Sequence, residues 1–223
     1  MNFKKMPPVI ESSLRTKIIH MPSVISEASG IVVRGRIIRS ILFSTDLAII
    51  RNHNADAIIA VYPFTPELSI IKALLDVCTV PVFAGVGGGV TSGRRSVEVA
   101  LQAELLGAMG VVLNQPAPPE LFTSLREVLD IPVIATIATL RDDYYSKVKA
   151  GARILNVSGS QDTPYMVREI RKVLGDDFPI IATGGPTEET ILETIEAGAN
   201  TITYTPPSTS YFLREIMEIY RRT

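Results

Sequence analysis

The chain of 223 residues (24.3 kDa) is 46% hydrophobic and 20% charged, with 22 basic against 23 acidic side chains and a net charge of −1. That length suits one domain with a sizeable core, and the composition excludes general disorder. The charge balance removes the electrostatic footprint of a nucleic-acid binder, and one cysteine, Cys78, excludes an internal disulfide framework. No apolar run approaches the roughly 18 residues needed to cross a bilayer.

In chain order, Met1–Pro8 carries lysines but no apolar h-region, so no signal peptide is expected and the chain reads as cytoplasmic. Residues 1–36, with Pro7, Pro8, Pro22, Gly30 and Gly35, read as an irregular lead-in with a short hairpin at Ile31–Arg36. Such a segment is expected to plug the N-terminal face of the domain or to contact another subunit.

From residue 37 to 223, β-rich apolar runs alternate with amphipathic segments. The runs centre near Ile41, Ile58, Val82, Val111, Val133, Leu155, Ile180 and Ile202, about 17 to 29 residues apart. They are nearly continuous in Val, Ile and Ala, as strands covered on both faces must be. Three open on proline (Pro81, Pro132, Pro179), and those between follow Gly-Ala at Gly107, Gly151 and Gly198, with Asn54-Ala55-Asp56-Ala57 as a fourth version. Each glycine fits a left-handed helix end. The combined period of about 43 to 53 residues describes a repeated βαβα unit, and four such units close a (β/α)8 TIM barrel. A doubly wound open sheet is the alternative.

In such a barrel chemistry belongs at the C-terminal ends of the strands. His53 and Cys78 fall in helix-to-strand connections, His20 lies in the lead-in, and no His, Cys, Asp and Glu cluster has ligand spacing, so no metal site is expected. Lys72, Lys147 and Lys149 belong to helical segments, which disfavours a strand-borne Schiff-base lysine. Asn156 and Thr203 share one column, and Asn114, Ser158 and Thr205 share another two residues on; this polar set is expected to face the barrel interior near its top. Ile58, Val111, Leu155 and Ile202, between them, are expected to face the helices. Asp46, on a Ser40/Leu42/Ser44 parity, is expected to point inward as a general acid or base, with capping of the following helix as the alternative.

Two glycine-rich loops complete the inventory. Gly85–Arg95 precedes a helix whose first turn carries Arg94 and Arg95 against the dipole, which an anionic ligand would offset, with Arg94 as the ligand residue. The second is Ala182-Thr183-Gly184-Gly185-Pro186-Thr187, and the last run then ends Tyr204-Thr205-Pro206-Pro207-Ser208. Through Ile181–Gly185 and the Glu196-Ala197-Gly198-Ala199 helix end, the chain resembles phosphate-binding barrels of the ribulose-phosphate type. That resemblance implies a phosphate held by Gly184, Gly185, Thr205 and Ser208, although Pro206 and Pro207 remove two N–H donors the family usually offers. The whole chain is also similar to a group of bacterial barrels carrying an unspecific hydrolase label.

The expectation is an enzyme of isomerase, lyase or hydrolase type on a small phosphorylated or anionic metabolite. Asp46 would be catalytic, and Asn114, Asn156, Ser158, Thr183 and Arg94 would bind substrate. The alternative is a non-catalytic barrel that senses such a metabolite and signals to a partner. A flavin-binding barrel is disfavoured by the few aromatic residues, so no cofactor is expected. Neither nucleic acid nor a membrane is an expected partner; a homo-oligomer is a candidate assembly.

Overall fold

The Gly-Ala pairs between the runs explain where three helices stop. Gly107, Gly151 and Gly198 adopt positive φ (104°, 131° and 107°), and the N–H of each following alanine reaches back to a carbonyl of the preceding helix: Ala108 to Ala103 at 2.9 Å, Ala152 to Lys147 at 2.9 Å and Ala199 to Thr194 at 3.2 Å. A side-chain-bearing residue is strained at such φ values, which is why glycine recurs. The prolines open strands because only their carbonyls are needed: those of Pro81, Pro132 and Pro179 accept from Ile58, Val111 and Leu155 of the neighbouring strand.

A computed structural model describes residues 8–10, 12–13 and 17–222. A hairpin of β1 (Ile31–Val33) and β2 (Arg36–Ile38) precedes eight parallel strands. These are β3 (Ser40–Phe43), β4 (Ala57–Ala60), β5 (Val82–Gly87), β6 (Gly110–Leu113), β7 (Val133–Ile137), β8 (Ile154–Val157), β9 (Ile180–Thr183) and β10 (Thr201–Tyr204). They close into a barrel through β10 and β3, with Thr203 opposite Ile41. All eight predicted runs are strands, and the fold is an α/β TIM barrel. The helices are α1 (Leu47–Arg51), α2 (Leu68–Val77), α3 (Arg94–Leu105), α4 (Pro119–Val128), α5 (Tyr144–Ala150), α6 (Thr163–Leu174), α7 (Glu188–Glu196) and α8 (Thr209–Arg222). None of them is long and apolar enough to cross a membrane among the described residues.

The hairpin expected at Ile31–Arg36 is present and runs on to Ile38, so the barrel's first strand opens at Ser40. Its buried face, Ile31, Val33 and Ile38, packs with Ile41, Ile59, Phe83, Ile134, Ile154 and Ile181 in one apolar cluster. These strand residues fill the lower barrel interior, and the hairpin stoppers that end. A 3-10 turn at Ser23–Glu27 packs against α7 with Ile25 buried. The second core layer lies between strands and helices, where Ile58, Val111, Leu155 and Ile202 are fully buried as their column predicted.

Candidate functional site

Above the apolar plug the barrel interior turns polar. Thr136, Asn156, Thr183 and Thr203 lie on the inward parity of β7 to β10, on the columns occupied lower down by Ile134, Ile154, Ile181 and Thr201. The Asn156 amide donates to Thr136 Oγ1 at 3.3 Å, and Thr183 Oγ1 lies 3.2 Å from Thr163 Oγ1. Asn156 Oδ1 and Thr203 Oγ1 are buried and have no hydrogen-bond partner among the described residues. Leaving such an atom unpaired costs about 1–3 kcal/mol, so two together on one floor mark a place where a partner group belongs. Because the Thr136 hydroxyl both gives and takes hydrogen bonds, the Asn156 amide is able to present either its oxygen or its NH2 to the mouth.

Over this floor opens a cleft of about 910 Å³, formed at the exits of β8, β9 and β10. Thr203, Ser158, Thr183, Gly184, Gly185 and Thr205 line it, so five of the predicted binding residues meet there. Its chemistry is unlike that of a strong anion site. Among its lining residues there is no lysine, arginine or histidine, and the single charge, Glu193, is paired with Arg168 at 3.1 Å. Arg141, which the sequence reading missed, lines a neighbouring groove with Asp162, and its guanidinium makes no ion pair among the described residues. Its signal in sequence was weak: one arginine in a loop of mixed charge.

The supply of backbone donors is also small. Gly184 N–H bonds to Thr203 O at 3.4 Å, and a Cβ there would lie 2.7 Å from both Ile191 and Ile202. Gly185, at φ +81° and with a Cβ position 2.6 Å from Thr190 Oγ1, keeps an N–H without a partner among the described residues. Pro186 precedes the helix, and Thr187 is the cap: its hydroxyl accepts from Thr190 N while Thr190 Oγ1 accepts from Thr187 N. The first turn of α7 then carries Glu188 and Glu189, which place negative charge where an oxyanion would sit. Ser208 does not line the cleft; its hydroxyl accepts from Tyr211 N at the start of α8 and contacts Ser210.

The remaining candidates are dispersed. Leu42 packs against Ile49, Ile50 and Leu74, so the Ser40/Leu42/Ser44 parity faces the helices and Ile41 faces the interior. The inward assignment of that parity is therefore corrected: Ser40 is polar because it bonds Asp56, with its hydroxyl 3.0 Å from the carboxylate and 2.9 Å from the Asp56 N–H. Asp46 caps α1, accepting from Ala48 N at 2.9 Å and Ile49 N at 3.3 Å, while Thr209 Oγ1 donates to its other oxygen. The Thr209 hydroxyl above all, then these N–H groups, hold the Asp46 carboxyl below its ordinary range against the opposing effect of burial. Arg94 points into solvent and pairs with Glu98 one turn along α3 at 2.7 Å. Asn114 lies across the mouth, in a separate recess of about 310 Å³ at the exits of β4, β5 and β6.

His53 and Cys78 sit in helix-to-strand connections, as expected; burial lowers the pKa of the His53 imidazole and raises that of the Cys78 thiol. Lys147 is on α5, where its almost fully buried ammonium pairs with Asp142, which also accepts from Gln115. That pair ties the loop after β6 to the loop after β7. No group of three His, Cys, Asp or Glu residues that could hold a metal ion is found among the described residues.

No protein-family model matches the chain, and no curated protein matches it in sequence. Solved structures do match in fold. Phosphoenolpyruvate phosphomutase from Streptomyces platensis subsp. rosaceus aligns at TM-score 0.61 and 15% identity, covering 82% of this chain and 80% of that one. Phosphonopyruvate hydrolase, solved with oxalate and Mg2+, aligns at 0.60 and 14%, covering 82% and 81%. The 4-hydroxy-tetrahydrodipicolinate synthase of Methylacidiphilum fumariolicum SolV aligns at 0.59 and 16%, covering 76% and 68%. At such identities the likeness establishes a shared TIM-barrel fold.

Proposed function

We propose that the protein is an enzyme acting on a small, hydroxyl-bearing metabolite of low negative charge, held in the β8–β10 cleft at the C-terminal mouth. The observation that carries this reading is the pair of buried atoms, Asn156 Oδ1 and Thr203 Oγ1, without a hydrogen-bond partner among the described residues, Thr203 lining a cleft of mixed hydroxyl, proline and glycine character and Asn156 lying on the same inward column beside it. A ligand hydroxyl or carboxylate supplies their missing partners. The open Gly185 N–H and the neighbouring hydroxyls of Ser158 and Thr205 complete a donor set suited to a carboxylate. A phosphate dianion fits less well: Pro186, Pro206 and Pro207 offer no N–H, and Glu188 and Glu189 repel it. Arg141, at the adjoining groove, is a cation without an ion pair among the described residues that such a ligand could recruit. Support for catalysis comes from the structural neighbours, whose names describe a mutase, a hydrolase and a synthase.

A second reading, a metabolite-sensing barrel without turnover, is favoured by one observation. Two of the carboxylates at the mouth are engaged, Asp46 as a helix cap and Asp142 with Lys147 and Gln115. A carboxylate held below its ordinary range is a weaker base. The test is thermal-shift titration with hydroxy- and keto-carboxylates, sugar alcohols and inorganic phosphate, followed by NMR of any stabilising compound over time. Stabilisation by a hydroxy-carboxylate that disappears in Asn156→Leu, with consumption of the compound, supports the enzyme. Stabilisation without consumption moves the protein to the sensing class. A shift by phosphate alone, or one unaffected by Asn156→Leu, overturns the assignment of the cleft.

A further inference from the structure

The recess across the mouth is built differently from the hydroxyl cleft. The exit of β4 contributes Tyr62 and Phe64, with Tyr62 held by the Glu67 N–H on its phenolic oxygen at 2.8 Å. The exit of β5 contributes Gly87, Gly88 and Gly89, a turn of bare backbone that continues into Val90 and Thr91. A side chain is excluded at Gly88, where a Cβ would stand 2.2 Å from the Asn114 carbonyl oxygen, while nothing lies within 4 Å of a Cβ at Gly89. Phe64 is 77% exposed, a large aromatic ring left in water at the rim of an open hollow. Asn114 lines the same hollow, and its carboxamide makes no hydrogen bond among the described residues.

An aromatic ring, a stretch of glycine backbone that lets a ligand approach closely and one unengaged amide form a particular chemical request. Aromatic faces and peptide planes stack on flat π-systems, and a carboxamide offers one donor and one acceptor side by side. We infer that this recess binds a planar, unsaturated heterocycle whose edge carries an adjacent donor and acceptor, such as a lactam or amidine edge. The volume of about 310 Å³ suits a ring of one or two cycles. On the function proposed above, this ring is the second end of the metabolite whose hydroxyl-bearing end meets Asn156 and Thr203.

The experiment is a chemical-shift titration of the full-length 15N-labelled protein with uracil, adenine and nicotinamide, and with 5,6-dihydrouracil, which keeps the edge of uracil but puckers the ring. At least one planar probe is expected to saturate in the millimolar range, with dihydrouracil at least fivefold weaker than uracil if uracil is that probe. Asn114→Leu, checked for an unchanged melting temperature, should weaken the planar probe about tenfold. Phe64→Ser at the exposed rim, where folding is not at stake, should weaken it several-fold. Thr203→Val should leave it unchanged, because that residue belongs to the other cleft. Absence of binding by every planar probe overturns the inference, as does equal binding of the puckered ring. Loss in Thr203→Val with none in Asn114→Leu places the probe in the β8–β10 cleft and also overturns it. If the planar probe behaves as expected while no hydroxyl-bearing compound responds to Asn156→Leu, the recess stands and the proposed function falls.

Discussion

The two ends of the barrel treat their polar groups in opposite ways. At the N-terminal end two hydrogen-bond hubs, Arg171 and Asp56, are fully engaged. The Arg171 guanidinium bonds to the carbonyls of Gly175, Asp176, Phe178 and Gly198 and to Asn200 Oδ1, at 2.6–3.1 Å. Asp56 accepts from Arg39 N, Ser40 N and Ser40 Oγ, and the interior beside it is plugged by the hairpin's Ile31, Val33 and Ile38. At the C-terminal end Asn156 and Thr203 leave buried atoms unpaired, Asn114 leaves an amide open, and two hollows stand over the strands. An end whose polar groups are satisfied internally serves stability. An end that keeps them unsatisfied holds them for something that arrives from solution.

The contrast makes graded predictions. Arg171→Ala should have the largest effect, a loss of about 3 kcal/mol or more in urea unfolding, because four helix- and loop-end carbonyls and Asn200 lose a shared donor. Ligand response at the mouth should persist wherever the variant is folded; a loss below 1 kcal/mol would break the claim that this end carries the stability.

Thr203→Val tests the other end. Replacing a partnerless buried hydroxyl by a methyl of the same shape should leave stability unchanged or raise it by about 1 kcal/mol. The same variant should abolish stabilisation by a hydroxyl-bearing ligand. A clear loss of apo stability would mean that the hydroxyl is satisfied by the protein and that the two ends do not differ as described.

Asp46→Asn should cost about 1 kcal/mol. Asparagine keeps the cap on Ala48 and Ile49 but, with its NH2 toward Thr209, cannot accept the hydroxyl. Because the folded carboxyl titrates below the unfolded one, its stabilisation is present above the unfolded carboxylate pKa and is lost as pH falls through the folded value. The Asn variant should therefore lose part of the acid dependence of stability below about pH 4. Turnover that survives in this folded variant would leave Asp46 with the capping role alone.

The smallest effect belongs to His53, whose Nδ1 accepts from Ala55 N at 2.9 Å and whose imidazole is held neutral chiefly by burial. Its folded pKa lies below the unfolded one, so stability is complete above about pH 6.5 and declines as pH falls from there. His53→Gln should flatten the melting temperature between pH 7 and 5; an unchanged profile would assign that slope to other groups.

The barrel itself was legible because its signals are local. A Val- and Ile-rich run between a proline and a helix, and a glycine placed where a helix must end left-handed, act within a few residues and recur three times. The two-residue period then assigned Asn156, Ser158 and Thr203 to the interior without further information, since backbone pleating alone decides it. Beyond that range the readings needed partners the sequence does not name. Ser40 misled the first strand's parity because its polarity answers to Asp56, 16 residues on. Asp46 meets Thr209 from the far end of the chain, Arg94 turns to Glu98, and Gly184 is small because Ile191 and Ile202 converge on it. The sequence by itself determined the strands, their order of layers and the inward polar column, all products of short-range sterics and periodicity. Only the tertiary structure decided which of those polar groups end without partners, because satisfaction of a hydrogen bond depends on every chain segment that closes around it.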